Sequence, residues 1–161
     1  MSLAILDSPA PAVAQPLGPA EVARLLPQRF PFLLLDRIDS VVPMQRATGR
    51  KTVGALEPFL LPSEALEWPM AFVVESLGQL AIALFNLSSE GGAPPKVLLG
   101  NVSGVTFHRP IPLGCSLDLE VRFERVIADQ FIASGAARIG DDPVMNMDSL
   151  ICKIITEGDA A

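Results

Sequence analysis

Residues 70–87 read MAFVVESLGQLAIALFNL, eighteen positions with one charged side chain, Glu75. Strands rarely exceed about ten residues, so a run of this length is a helix rather than a buried strand. Pro69 stands at its start, where a missing N–H costs a helix nothing. Apolar on every side, such a helix must be enclosed on most of them. A bilayer would accept a run of this length too. Ser76, Gln79 and Asn86 inside it, and the lack of a flanking Lys or Arg cluster, favour a core helix over a membrane span.

The rest of the chain has to supply the enclosure, and its pattern is that of a sheet. Leu117, Leu119, Val121 and Phe123 alternate with Asp118, Glu120, Arg122 and Glu124. This is the period of two of a strand with one wet face. Ala128-Asp129 turns it into a strand over 130–139, and Gly140-Asp141-Asp142-Pro143 turns that into one over 144–157. Residues 97–107 form the preceding strand. Ahead of the helix, residues 32–42 and 46–53 read as strands on either side of Pro43. Gly18-Pro19 opens a short helix that Pro27 ends. Residues 57–68, with Pro58 and Pro62, and residues 88–95, SSEGGAPP, are loops by composition. The expected organisation is a Pro/Ala-rich arm over 1–18, one domain over 19–157 and a tail over 158–161. A sheet wrapped round one apolar helix is an α+β architecture.

A net charge of −6 and a pI near 4.7 argue against nucleic acid as a partner. Cys115 and Cys152 are too few for a secreted disulfide framework and read as free thiols on strands. Together with the single histidine, His108, they show no metal-ligand spacing, so no metal is expected. Nucleotide and flavin motifs are absent, and no cofactor is expected. The first residues lack the basic start and long apolar stretch of a signal peptide, which implies a cytoplasmic protein.

Glu75 is the chemically informative residue. An ionised carboxylate on a buried helix loses several kcal/mol of hydration unless partners replace it. It serves either a structural pairing, with Gln79, Ser76 or backbone of a partner subunit, or proton transfer.

Three segments, in order, resemble one family. LPQRFPFLLLDR over 26–37 is similar to L-P-H-R-Y-P-F-L-L-V-D-R of the 3-hydroxyacyl-[acyl-carrier-protein] dehydratases. ESLGQ over 75–79 resembles the E-A-x-A-Q of their central helix, and FHRPIPLG over 107–114 resembles F-x-R-P-V-x-P-G. The resemblance runs from about residue 20 to 156 and implies the hot-dog fold, a curled antiparallel sheet wrapped around one long apolar central helix. It also implies a His and an acid brought together from two subunits. The His removes the α-proton of an acyl thioester, and the acid handles the departing hydroxyl. Glu75 falls on the acid and Gln79 on its supporting residue one turn later.

One stretch departs from the family. Its H-F-P-G-x-P-x-M-P-G corresponds to residues 61–70, LPSEALEWPM, which contain no His. The His position falls on Leu61 or a neighbour. The Gly whose N–H polarises the thioester carbonyl falls on Met70. Glu64 and Glu67 lie in this stretch, and a second carboxylate near Glu75 would be raised in pKa and made a base; Glu64 is the candidate. Ser63 has no base to activate it. Phe59, Leu61, Pro69, Met70 and Phe72 are the expected substrate contacts, with Phe32 a further lining residue.

Three readings follow. The chain is a 3-hydroxyacyl thioester dehydratase of fatty acid or polyketide metabolism, weak or reorganised at its active site. It is a non-catalytic acyl-thioester binding or accessory subunit, paired with a His-bearing homologue. Or it is a thioesterase working through Glu75. The expected substrate carrier is acyl carrier protein or CoA, and the expected assembly is a homodimer or trimer of dimers. An acidic carrier protein needs a basic patch, for which Arg46, Arg50, Lys51, Lys96 and Arg109 are candidates.

Overall fold

The computed structural model describes residues 15–54, 57, 67–89 and 95–155. Its elements are α1 (Pro19–Leu25), β1 (Arg37–Val42), β2 (Arg46–Thr52), β3 (Glu67–Trp68), α2 (Ala71–Ser88), β4 (Lys96–Phe107), β5 (Ile111–Pro112), β6 (Ser116–Ile127), β7 (Gln130–Ile139) and β8 (Asp142–Ile155). Six strands form one antiparallel sheet in the order β1-β2-β6-β7-β8-β4, and β3 pairs with β5. The sheet curls around α2, as the hot-dog expectation requires.

The helix sits close to the sheet because small residues line its path. Buried residues on β2 include Ala47 and Gly49, and a Cβ at Gly49 would lie 3.3 Å from Leu80 Cδ1 of α2. On β7, a Cβ at Gly135 would lie 3.1 Å from Leu77 Cδ1. Leucines on the helix thus fill space that the two glycines vacate. Ten residues of α2 are buried, among them Val73, Leu77, Leu80 and Leu84. The helix is long and apolar enough to cross a membrane by composition alone. Here it spends that surface on the sheet. Leu117, Leu119 and Val121 of β6 are buried in alternation, as their period of two predicts.

Several boundaries differ from those the sequence predicts. The strand expected over 32–42 starts only at Arg37. Phe32 and Leu34 turn main-chain groups to α2 instead, where the side chain of Gln79 takes them. The loop expected over 57–68 ends in a short strand, β3. The last strand begins at Asp142, two residues early. Cys152 is buried on β8, but Cys115 is half-buried outside any strand; both are free thiols. Of the expected arm, Leu17 pairs with Ile38 at the outer edge of β1. The other edge of the sheet is β4, twelve residues paired, among the described residues, with β8 alone; its Leu98 and Leu99 are 58% and 50% exposed.

The Gly49 contact is testable. A Cβ there would lie 2.6 Å from the main-chain oxygen of Arg37, which cannot rotate away. Gly49→Ala should cost about 1–3 kcal/mol, the range for overpacking a dense core, read as a lower midpoint in urea denaturation. An unchanged midpoint would mean that β1 and β2 yield freely beneath the helix.

Candidate active site

Glu75 lies on α2, half-buried, where its Oε1 accepts a hydrogen bond of 2.9 Å from Gln79 Nε2. Position i+4 on a helix puts Gln79 directly alongside. Gln79 is 0% exposed, and its remaining contacts fix it further. Its Nε2 also donates to Phe32 O at 2.7 Å, and its Oε1 accepts from Leu34 N at 2.9 Å. Two oxygens facing the nitrogen and an N–H facing the oxygen allow only one orientation of the amide. The segment over 26–37 and the helix motif over 75–79 are therefore bound to each other through one side chain. Ser76 turns its hydroxyl elsewhere, donating to Phe72 O at 2.8 Å.

At the start of α2 the N–H groups of Phe72 and Val73 bond the main-chain oxygens of Pro69 and Met70, each at 3.0 Å. Met70 is its N-cap, no side chain caps it, and the first turn carries no acid. The first turns of a helix present N–H groups and a partial positive charge. Pro69 is exposed there, and Met70 is half-buried against the core. Phe72 is half-buried between Trp68, at 5.6 Å between ring centroids, and Phe32, edge-on at 6.4 Å. Phe32 is itself 52% exposed. Pro69, Met70, Phe72 and Phe32 thus flank the first turns of the helix that bears Glu75. Glu67 is exposed on β3, across from Pro112. Phe59, Leu61, Ser63 and Glu64 lie outside the described residues.

Two features were not anticipated from sequence. Glu57 is a nearly buried carboxylate whose Oε1 lies 2.7 Å from Lys51 Nζ and whose Oε2 accepts from Trp68 Nε1 at 3.1 Å. The second is the closeness of Cys152 to Glu75. Burial, and then the negative charge of Glu75, push the Cys152 thiol up to about 12. At neutral pH it is a protonated, inert group beside the carboxylate.

The proposed basic patch is largely spoken for. Lys51 is 6% exposed and pairs with Glu57 and Asp36; Arg50 pairs with Asp39 and Asp118, and Arg109 with Asp142. On sequence alone these three are available cations, but each has a carboxylate brought to it across the sheet or a turn. Among the described residues only Arg46 and Lys96 of the five take no ion pair. His108 is exposed just beyond β4, its main-chain N–H bonded to Val144 O at 2.9 Å.

The Cys152 shift has a defined consequence for stability. Its folded pKa, about 12, lies above the ordinary 9.0. Below pH 9.0 the thiol keeps its proton folded or unfolded and adds no pH dependence. Between 9.0 and about 12 only the unfolded thiol ionises, so stability falls as pH rises, by at most about 1.4 kcal/mol per pH unit. Urea midpoints from about pH 8.5 to about 10.5, a range that brackets the unfolded transition, should fall more steeply in the wild type than in Cys152→Ala. Parallel slopes would remove Cys152 from this account.

No protein-family model matches the sequence. Individual relatives do. The 3-hydroxyacyl-[acyl-carrier-protein] dehydratase FabZ of Myxococcus xanthus is 32% identical over 146 residues, 88% of this chain and 94% of that protein. FabZ of Chloroflexus aggregans is 37% identical over 122 residues, 73% and 81% of the two chains. Among solved structures, the dehydratase heterocomplex ApeI:P of Xenorhabdus doucetiae superposes with a TM-score of 0.74 at 18% identity, over 86% of this chain and 93% of that one. A point mutant of the fluoroacetyl-CoA-specific thioesterase FlK, in complex with fluoroacetate and CoA, gives 0.59 at 14% identity, over 75% and 100%. The structures establish the hot-dog fold, and the sequence relatives go further: this chain belongs to the FabZ family of 3-hydroxyacyl-[acyl-carrier-protein] dehydratases.

Proposed function

We propose that this chain acts on 3-hydroxyacyl thioesters, carried on acyl carrier protein or CoA in the cytoplasm, through Glu75, at a site reorganised for want of the family's histidine. The observation that carries this is the carboxylate itself, the one charge on an apolar helix, half-buried and oriented by an amide with no other arrangement open to it.

Loss of water from such a substrate breaks the Cα–H and Cβ–O bonds. A base takes the α-proton, the electron pair forms the Cα=Cβ bond, and the hydroxyl leaves as water with a proton from an acid. Glu75 is suited by its place to be that acid. The partial positive charge at the start of α2, beside Met70, suits the thioester oxygen, where negative charge develops in the transition state. His108 is the only histidine in the 161 residues, and it is exposed beyond β4. For the base we infer Glu64, a carboxylate in the stretch that replaces the family's His segment.

The bare edge of β4 supports a second reading, that the chain is an accessory subunit. A long edge, unpaired among the described residues and with exposed Leu98 and Leu99, invites a second strand. That strand belongs to a second copy in a homodimer or to a His-bearing homologue. A dehydratase heterocomplex among the fold neighbours gives the latter a precedent. Analytical ultracentrifugation of the pure protein at micromolar concentration should show a dimer or a trimer of dimers, and Leu98→Asp/Leu99→Asp should dissociate it. A wild-type monomer would end the homodimer reading.

The decisive test is mass spectrometry of a 3-hydroxybutyryl thioester incubated with wild type and with Glu75→Gln. The expected result is loss of one water by the wild type and a rate at least about a hundredfold lower in Glu75→Gln, the usual size of a general acid's contribution. Equal rates would dismiss Glu75 as the acid. Release of the free acid would establish a thioesterase instead, and an unchanged substrate would leave the accessory subunit.

A further inference from the structure

We propose that Glu57 is a positioning residue: with one carboxylate oxygen on Lys51 and the other on Trp68, it sets the start of α2 and, through it, the Glu75–Gln79 pair. This rests on the reading of Glu75 as the working carboxylate.

The contacts form a continuous path. Lys51 Nζ lies 2.7 Å from Glu57 Oε1, and Trp68 Nε1 donates to Glu57 Oε2 at 3.1 Å. Trp68 is 1% exposed and lies just two residues before the N-cap of α2. Its ring packs on Phe72, and Phe72 packs edge-on against Phe32. The carbonyl of Phe32 is where Gln79 Nε2 is anchored, and the same nitrogen holds Glu75. Displacing the indole therefore moves the ring that sets Phe32 against the first turn of the helix.

Charge at this place needs a reason. Lys51 occupies an inward position of β2, in line with Ala47 and Gly49, and its side chain is 8% exposed. The Glu57 side chain is 13% exposed. An apolar pair of similar volume is often as stable as a buried ion pair, so stability alone does not account for it. Geometry does. A carboxylate has two acceptor oxygens and can hold an ammonium and an indole N–H at once, in fixed relative positions. An amide offers one oxygen and cannot serve both donors in this way.

That difference defines the experiment. Glu57 Oε1 also accepts from Gly54 N at 3.4 Å, so in Glu57→Gln a single amide oxygen faces three donors, whereas in Lys51→Met/Glu57→Gln the ammonium is gone and the oxygen can turn to Trp68 again. Trp68 is the only tryptophan, so the chain has a single indole N–H resonance in a 1H–15N spectrum. The Gln79 side-chain amide pair, assigned by its loss in Gln79→Glu, reports on the hydrogen bond to Glu75. In Glu57→Gln both the indole and the Gln79 resonances should move, and in the double variant both should return toward wild type. An indole that moves while the Gln79 pair stays would overturn the proposal. Should Glu57→Gln fail to fold, Trp68→Phe removes only the indole part of the path, and the Gln79 pair is read the same way.

Turnover of a 3-hydroxybutyryl thioester on the same samples separates this proposal from the one beneath it. The expected result in Glu57→Gln is a kcat lowered about tenfold with KM within about twofold, as for a misplaced but intact catalytic group, and recovery in the double variant. A wild type without turnover would remove the dehydratase reading and leave the Gln79 resonance to decide on Glu57. Turnover undiminished in Glu57→Gln would overturn the positioning role itself.

Discussion

The seating of α2 on the sheet is the contact on which the other features depend. Leu80 reaches toward Gly49 and Leu77 toward Gly135, so the helix approaches the strands at points where no side chain intervenes. Close-packed interiors do not tolerate an added carbon at such a point without a shift of backbone. The helix thereby gains a fixed depth and rotation, which brings Gln79, and Glu75 with it, to the segment over 32–34. The apolar composition of α2 is what this enclosure demands.

The polar groups around Gln79 and around Glu57 are mutually committed. Gln79 is fully buried and bonds the backbone at two residues as well as Glu75. Glu57 and Lys51 are nearly buried and bond each other, and Glu57 also bonds Trp68. In a medium less polar than water such bonds are stronger and an unpaired member costs more. The same field explains Cys152, whose thiol is held protonated by burial and by Glu75. Glu75 is only half-buried and stands one turn into a helix whose start is uncapped, and this separates it from the carboxylates that pair with cations elsewhere on the sheet.

Membership of the FabZ family supplies the frame. The helix motif and the segment over 26–37 carry the family pattern, and the contacts of Gln79 show why those two motifs belong together physically. Residues 61–70, which contain no His, immediately precede the helix that bears Glu75. The bare edge of β4 lies at the other end of the sheet order from β1, whose outer edge Leu17 partly covers. One chain thus presents an acid on its helix and, at the far edge of its sheet, a strand paired on one side among the described residues.

By itself the sequence determined the elements whose signal is local. An eighteen-residue apolar run could be only a helix, alternation at 117–123 only a strand, and Gly140-Asp141 a turn, because these patterns follow from backbone periodicity. It also singled out Glu75 and its partner Gln79, since a spacing of four fixes two side chains on one helix face. Only tertiary structure decided what depends on residues far apart in the chain. Residues 32–36 look like a strand by composition, but main-chain groups of Phe32 and Leu34 bond Gln79, forty-five residues on from Leu34. Lys51 looks like a surface cation until Glu57 folds against it, and Arg50 and Arg109 until Asp118 and Asp142 reach them. No periodicity records these pairings, because each is set by where the sheet curls around the helix.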